Sequence, residues 1–225
     1  METQFIEFLA RSGAIKFGDF TLKSGRQSPY FISTGELCSG AISYELGRFY
    51  AKKISTVYGS DFDAVFGPAY KGIPLAVSTT VALAKEFGIN KNWLFDRKEK
   101  KTYGDSSMFV GTVDHGAKIV IVDDVFTTGG TKVEAIEKLE KVLKADIKGI
   151  VIAVDRMEKG IRRNAVTEFT DDTGVRVDSI TNINDIFEHL KNRDVAGKVS
   201  QRGEPPWDRQ RPGGFSCLLP PHSSR

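Results

Sequence analysis

The run Ile119-Val120-Ile121-Val122-Asp123-Asp124-Val125-Phe126-Thr127-Thr128-Gly129-Gly130-Thr131 constrains the fold of this chain more than any other stretch. Four consecutive aliphatic residues predict a strand buried on both faces, the pattern of a parallel sheet. Two carboxylates follow where that strand is expected to emerge, then hydroxyls, two glycines and a helical pattern from Lys132 to Leu143. Loop N–H groups and the positive end of a helix dipole attract an anion such as phosphate. Gly129 and Gly130 let the backbone approach it closely, and Thr127, Thr128 and Thr131 add hydroxyl donors.

Other readings of the stretch are weaker. No Gly-Lys-Ser/Thr follows the glycines, so it is not a Walker loop, and the G-x-G-x-x-G spacing of a dinucleotide site is absent. An ordinary Gly-rich turn with a solvated acidic pair is the bland alternative. Adjacent residues leaving a strand point to opposite sides, which disfavours a paired-carboxylate acid and base. Hydrogen bonds that Asp123 and Asp124 accept from ribose hydroxyls, with a metal ion nearby, fit that geometry better.

The rest of the chain supplies strands and helices in alternation. A helix is expected over 2–12, and two short strands over 17–33 around Lys23-Ser24-Gly25-Arg26, forming a hood. A long helix from Ser39 to Tyr58 follows, then strand Phe62–Phe66, helix Ile73–Phe87 and strand Asn92–Phe95. Periodicity vanishes between Asp96 and Gly116. After the signature strand and its helix come strand Gly149–Val154, a helix near Asn164–Thr170, strand Val175–Ile180 and helix Asn184–Lys191. This alternation predicts an α/β fold, a doubly wound parallel sheet with a small N-terminal hood. The expected domain covers 1–197, with the hood about 1–38 and the core about 39–197. In such sheets ligands bind beyond the carboxyl ends of the strands. Tyr70-Lys71, Arg97, the acidic pair and Asp155-Arg156 all fall there, and four polar clusters on one rim argue for a site.

Composition narrows the partners. The formal net charge is +3. Residues 198–225 account for it with five Lys/Arg against two acids, leaving 27 basic and 27 acidic residues in 1–197. A neutral body gives no bulk attraction to nucleic acid or membrane. Five of the eight prolines lie after Lys198, with Gly213-Gly214 and no repeating apolar face, so 198–225 reads as a disordered or non-native tail. Two distant cysteines, no basic apolar leader and no long apolar run point to a reducing, cytoplasmic setting.

A diphosphate needs cations, and Lys71, Arg97, Lys98 and Lys101 supply them, Lys as a point charge and Arg as a fork. Arg97-Lys98-Glu99-Lys100-Lys101 alone would pass for a solvated charge run. Placed directly after a strand, in a loop of about 20 residues, it reads as a lid.

At this point a resemblance becomes specific. Leu22-Lys23-Ser24-Gly25-Arg26, Ser28-Pro29-Tyr30-Phe31 and Gly67-Pro68-Ala69-Tyr70-Lys71-Gly72-Ile73-Pro74 join Arg97–Lys101, Val122–Thr131 and Asp155-Arg156. Together they resemble the orotate phosphoribosyltransferases, type I phosphoribosyltransferases, over most of 1–197. The resemblance implies transfer of the phosphoribosyl group of 5-phosphoribosyl 1-diphosphate to orotate, giving orotidine 5′-monophosphate and diphosphate in pyrimidine synthesis. It implies Mg²⁺ held mainly through the donor diphosphate, with Asp123 or Asp124 nearby and no direct protein ligand set. It also implies a homodimer that shares an active-site loop. By position, Lys23 contacts the donor and Tyr70-Lys71 meet the diphosphate. Arg97, Lys98, Lys101 and Tyr103 form the loop, with Lys101 and Tyr103 the catalytic candidates. Asp123 and Asp124 bind the ribose hydroxyls. Val125 and Phe126 lead into Thr127, Thr128, Gly129, Gly130 and Thr131, which take the 5′-phosphate. Phe31, Ile32, Thr127 and Arg156 hold orotate; the alternative for Arg156 is an ion pair with Asp155 or Glu158.

Two residues depart from the family. Tyr103 stands where a His is common, and a phenol with a reference pKa of about 10 cannot act as a cationic acid at neutral pH. Ile32 replaces the second of two paired aromatics, keeping an apolar wall without ring stacking. Alternatives are a transferase for another base, and a non-catalytic sensor of the donor; the neutral body and intact Arg-Lys-x-x-Lys count against the sensor.

Overall fold

The computed structural model describes residues 2–21, 27–33, 35, 37–98, 108–127 and 129–191. They fall into two compact units, one of residues 37–180 and one joining 1–36 to residues from 181 onward.

The smaller unit begins with helix α1 (Glu2–Arg11), which buries Phe5, Ile6, Phe8 and Leu9. Gly13 takes φ +71°, and the next N–H, of Ala14, donates to Leu9 O at 3.0 Å, closing the helix end. Strands β1 (Ile15–Thr21) and β2 (Gln27–Ile32) pair antiparallel, Ile15 opposite Ile32 and Phe17 opposite Tyr30. These are the two strands expected for the hood. The last helix, α6 (Ile183–Leu190), buries Ile183, Ile186, Phe187 and Leu190 and packs on α1. An ion pair between His189 and Glu7 spans that contact.

The larger unit starts with α2 (Gly40–Tyr58), whose N-cap Ser39 accepts from Ile42 N–H. There follow β3 (Ala64–Phe66), α3 (Gly72–Phe87), β4 (Asn92–Asp96), β5 (Phe109–Val110), β6 (Lys118–Phe126), α4 (Gly130–Leu143), β7 (Asp146–Asp155), α5 (Ala165–Thr173) and β8 (Val177–Asn182). Among the described residues the main sheet runs in the order β5-β4-β3-β6-β7-β8. β4, β3, β6 and β7 are mutually parallel and β5 is antiparallel to β4. Ile119 and Ile121 join a core with Ala135, Ile136 and Leu139 of α4 and Phe169 of α5. Their neighbours Val120 and Val122, equally buried, alternate to the opposite face, where α2 and α3 pack. Each such fully buried aliphatic contributes about 1.5–3 kcal/mol. Burial on both faces is why these strands read as continuous apolar runs.

Two details differ from expectation. Strand β6 does not end at Val122; Asp123 pairs with Ile152, Val125 with Val154 and Phe126 with Asp155. The ladder still needs partners for its backbone groups, and the carboxylates it carries are met by lysines. The second detail is β5, a two-residue strand within the stretch read as aperiodic, held by Phe95 opposite Val110 and Asp96 opposite Phe109.

Candidate active site

The carboxyl ends of β4, β3, β6 and β7 are contiguous along one rim of the sheet. After β3 the chain makes a closed loop, Gly67 to Gly72. Two glycines are required there: a Cβ on Gly67 would sit 1.9 Å from Gly72 O, and one on Gly72 would sit 2.5 Å from Gly67 C. Gly67 N–H donates to Leu94 O and Gly72 N–H to Pro68 O, each at 2.9 Å. The loop thrusts out Tyr70, 71 % exposed. It also presents the Lys71 ammonium 3.4 Å from Asp124 Oδ2.

The acidic pair takes different partners, as neighbours on a strand do. Asp123 forms an ion pair with Lys132 in the first turn of α4. That lysine is 5 % exposed, and its ammonium also donates to Val125 O at 2.9 Å. Asp123 Oδ1 accepts Asp124 N–H, and Asp124 Oδ1 accepts Val125 N–H, both at 2.9 Å. Burial raises the Asp123 carboxyl above its usual range, with Lys132 opposing and Asp124 adding to the rise. Beneath the strand, Tyr50 is fully buried and its hydroxyl donates to Asp123 O at 2.7 Å. Burial, then the charges of Asp124 and Asp123, push its phenol well above the ordinary range, so it remains a neutral donor.

Beyond β6, Thr127, Gly130 and Thr131 are exposed while Phe126 and Gly129 are buried. Gly129 takes φ +80°, and a Cβ there would lie 2.8 Å from both the Phe126 and Phe169 rings. Those rings meet edge to face at 5.2 Å and form the floor of the turn. The N–H groups of Lys132 and Val133 both close on Gly129 O, and among the described residues no side chain caps α4. An uncapped helix start beneath an exposed small-residue loop is an anion cradle.

At the end of β7, Asp155 Oδ1 accepts Met157 N–H at 2.7 Å. Burial raises its carboxyl, with that N–H opposing. Arg156 is buried and its Nε stands 3.1 Å from Glu158 Oε1. The ion pair weighed as the alternative for Arg156 is therefore present. Just past β4, Arg97 N–H donates to Met108 O at 2.8 Å, and Lys98 is exposed. In the hairpin unit, Phe31 is 36 % exposed against the Phe20 ring, whereas Ile32 is 5 % exposed. Lys23, Lys101, Tyr103 and Thr128 lie outside the described residues, as does 198–225.

The structure thus brings Lys71 to Asp124 and Lys132 to Asp123, with Thr127, Gly129, Gly130 and Thr131 directly beyond the same strand and Arg156 just past the end of the adjoining one. Sequence reasoning passed over Lys132, Tyr50 and Asp96. A lysine one turn into a helix that begins at Gly-Gly was the available signal for the first, because a cation is unfavourable at a helix N-terminus unless something holds it. Among the described residues, no three His, Cys, Asp or Glu converge to cage a metal ion. Asp124, with 12 % of its side chain exposed, is the carboxylate of this rim beside which a Mg²⁺ would stand, a hard cation that takes oxygen ligands.

Lysines, an acidic pair and a helix start at a Gly-Gly turn share the carboxyl rim of a doubly wound sheet, the place where such folds bind ligands. The phosphoribosyl transferase domain family matches residues 33–192. Orotate phosphoribosyltransferase of Clostridium acetobutylicum is 42 % identical over 198 residues, covering 87 % of this chain and 88 % of its own length. That of Bifidobacterium longum is 46 % identical over 208 residues, covering 88 % of this chain and 90 % of its own. The crystal structure of the Francisella tularensis orotate phosphoribosyltransferase superposes with a TM-score of 0.76 at 36 % identity, over 92 % of this chain and 97 % of that one. The chain belongs to the phosphoribosyl transferase family, within which it groups with the orotate phosphoribosyltransferases.

Proposed function

We infer that the chain transfers the phosphoribosyl group of 5-phosphoribosyl 1-diphosphate to orotate, releasing diphosphate and forming orotidine 5′-monophosphate. The observation that carries this is the meeting of Lys71 with Asp124 beside an uncapped α4 and its Gly129 turn. One end of that arrangement suits a 5′-phosphate, the middle a ribose, and the Tyr70-Lys71 loop the diphosphate.

The C1–oxygen bond to diphosphate breaks as the N–C1 bond to orotate forms, in line and with oxocarbenium character. Orotate is an adequate nitrogen nucleophile once ionised, so catalysis rests on stabilising the leaving group. Asp124, with Asp123, accepts ribose hydroxyls and holds the sugar. Thr127, Thr131 and the N–H groups of Gly130 and its neighbours hold the 5′-phosphate. Lys71 moves from Asp124 to the diphosphate. Arg97 and Lys98 begin the segment whose Lys101 places a cation on the departing group, with Tyr103 as a neutral donor; Lys23 adds charge at the donor. Arg156 takes the orotate carboxylate alongside Glu158, and Phe31 and Ile32 supply an apolar wall. Mg²⁺, when bound, neutralises diphosphate oxygens and so aids their departure. A homodimer sharing the Arg97–Tyr103 segment and a cytoplasmic setting complete the reading; Cys38 is a free thiol, and among the described residues no helix is long and apolar enough to cross a membrane.

The test is loss of orotate absorbance on adding donor and Mg²⁺, against uracil, adenine and hypoxanthine. Turnover of orotate alone, dependent on Mg²⁺, is expected; preference for another base overturns the assignment of the acceptor.

A further inference from the structure

Asp96 ends β4, and its carboxylate is nearly inaccessible, with 6 % of the side chain exposed. Oδ1 accepts the N–H of Ala69 at 2.9 Å, and the Lys138 ammonium, from the third turn of α4, stands 3.2 Å from Oδ2. Ala69 lies midway along the Gly67–Gly72 loop and directly precedes Tyr70 and Lys71. The two glycines fasten the ends of that loop through backbone bonds alone. Between them, among the described residues, the Asp96 carboxylate is the side chain that bonds the loop backbone. Ile73 N–H donates to Tyr70 O at 3.2 Å on the helix side of the tip, and the Asp96 carboxylate is what ties the tip to β4.

We propose that Asp96 is a positioning residue for the donor diphosphate: it holds Ala69, and with it Tyr70 and Lys71, at binding height, while Lys138 balances its charge. The inference rests on the reading that Tyr70 and Lys71 meet the diphosphate. A carboxylate suits the task because a charge-assisted bond to a backbone N–H is stronger than a neutral one. Left alone it would be costly to bury and would repel an incoming diphosphate. Lys138 removes both objections without itself reaching the loop. The arrangement also couples β4 to α4 across β3 and β6, so the loop is referenced to the same helix whose N-terminus cradles the phosphate.

The test uses the full chain as wild type, Asp96→Ala and Asp96→Asn. The readouts are KM for donor and for orotate, calorimetric affinity for inorganic diphosphate with Mg²⁺, and thermal unfolding. Asp96→Ala weakens donor and diphosphate about tenfold, equivalent to ~1.4 kcal/mol, and leaves the orotate KM unchanged. Asp96→Asn keeps an acceptor for Ala69 N–H and recovers most of the loss. A lowered melting temperature with no selective change at the donor, or an Asn variant no better than Ala, overturns the inference. Should Asp96→Ala not fold, Lys138→Met decides: an unbalanced Asp96 weakens diphosphate severalfold, less so at high salt, and an unchanged affinity overturns it. Wild-type protein that fails to bind diphosphate overturns the functional reading itself, and this inference with it.

Discussion

Replacing Lys132 by Met tests how the Asp123-Asp124 pair is held. The lysine side chain is 6 % exposed and Asp123 opposite it 17 %, so the pair is nearly dry. Removing one member of a buried pair leaves an uncompensated charge and costs about 3–5 kcal/mol. The residual access of Asp123 to water places this site near ~3 kcal/mol, the lower end of that range. Lys132 also sits in the first turn of α4, where the dipole disfavours a cation by about 0.3–1 kcal/mol. The lost pair therefore outweighs the relieved dipole. For a domain of this size each kcal/mol shifts the melting temperature by about 2–4 °C, so a fall of about 5–10 °C is expected. Replacing both partners, Lys132→Met with Asp123→Asn, removes the stranded charge and recovers most of the stability.

The pH dependence carries a further sign. Burial already raises the Asp123 carboxyl, and Lys132 is the chief opposing influence. Without it the folded-state pKa rises further above the unfolded value. A raised carboxyl binds its proton more tightly folded than unfolded, so its stabilisation is present at low pH and lost as pH rises through the folded value. The deficit of Lys132→Met is thus largest at neutral pH and shrinks on acidification. Thermal unfolding of wild type, Lys132→Met, Asp123→Asn and the double variant between acid and neutral pH measures both effects. A single variant as stable as wild type, or a double variant carrying the sum of both single losses, would refute a buried, mutually dependent pair.

Gly129→Ala forces a left-handed backbone at about 1–2 kcal/mol and drives a methyl into Phe126 and Phe169, so both melting temperature and donor affinity fall; unchanged phosphate-loop function would show that the turn is not built on that glycine. Glu168 accepts N–H groups from Ile161, Arg162 and Arg163, and although burial acts to raise its carboxyl, those three bonds hold it below the usual range. Its stabilisation is present above the unfolded pKa of about 4.3 and lost as pH falls through the lower folded value, so Glu168→Gln lowers the neutral-pH melting temperature and flattens its acid decline. Lys101→Ala lowers turnover by orders of magnitude while orotidine 5′-monophosphate still binds in calorimetry; an unchanged rate removes this lysine from the mechanism.

Much of the molecule was legible as pattern. Apolar runs such as Ile119–Val122 can be buried only between two helical layers, and Gly129-Gly130 before a helix can serve only a turn that admits close approach. Those features depend on neighbours along the chain, which is why the alternation of elements and the gathering of polar clusters at strand ends were available from the sequence. β5 was not, because two residues have no period and are held in a strand by what β4 offers them. Nor was the length of β6: a carboxylate looks like the end of a strand until a lysine from α4 is seen to neutralise it.

The sequence by itself determined which groups stand along the rim, since the alternation of strand and helix and the loop glycines are local properties. Only the tertiary structure decided how those groups are apportioned. Asp123 goes to Lys132 and Asp124 faces Lys71; Arg156 is shared with Glu158, and Asp96 is tied to Ala69 and Lys138. Charges choose partners by distance and burial across segments far apart in the chain. That choice exists only once the sheet has brought them within reach.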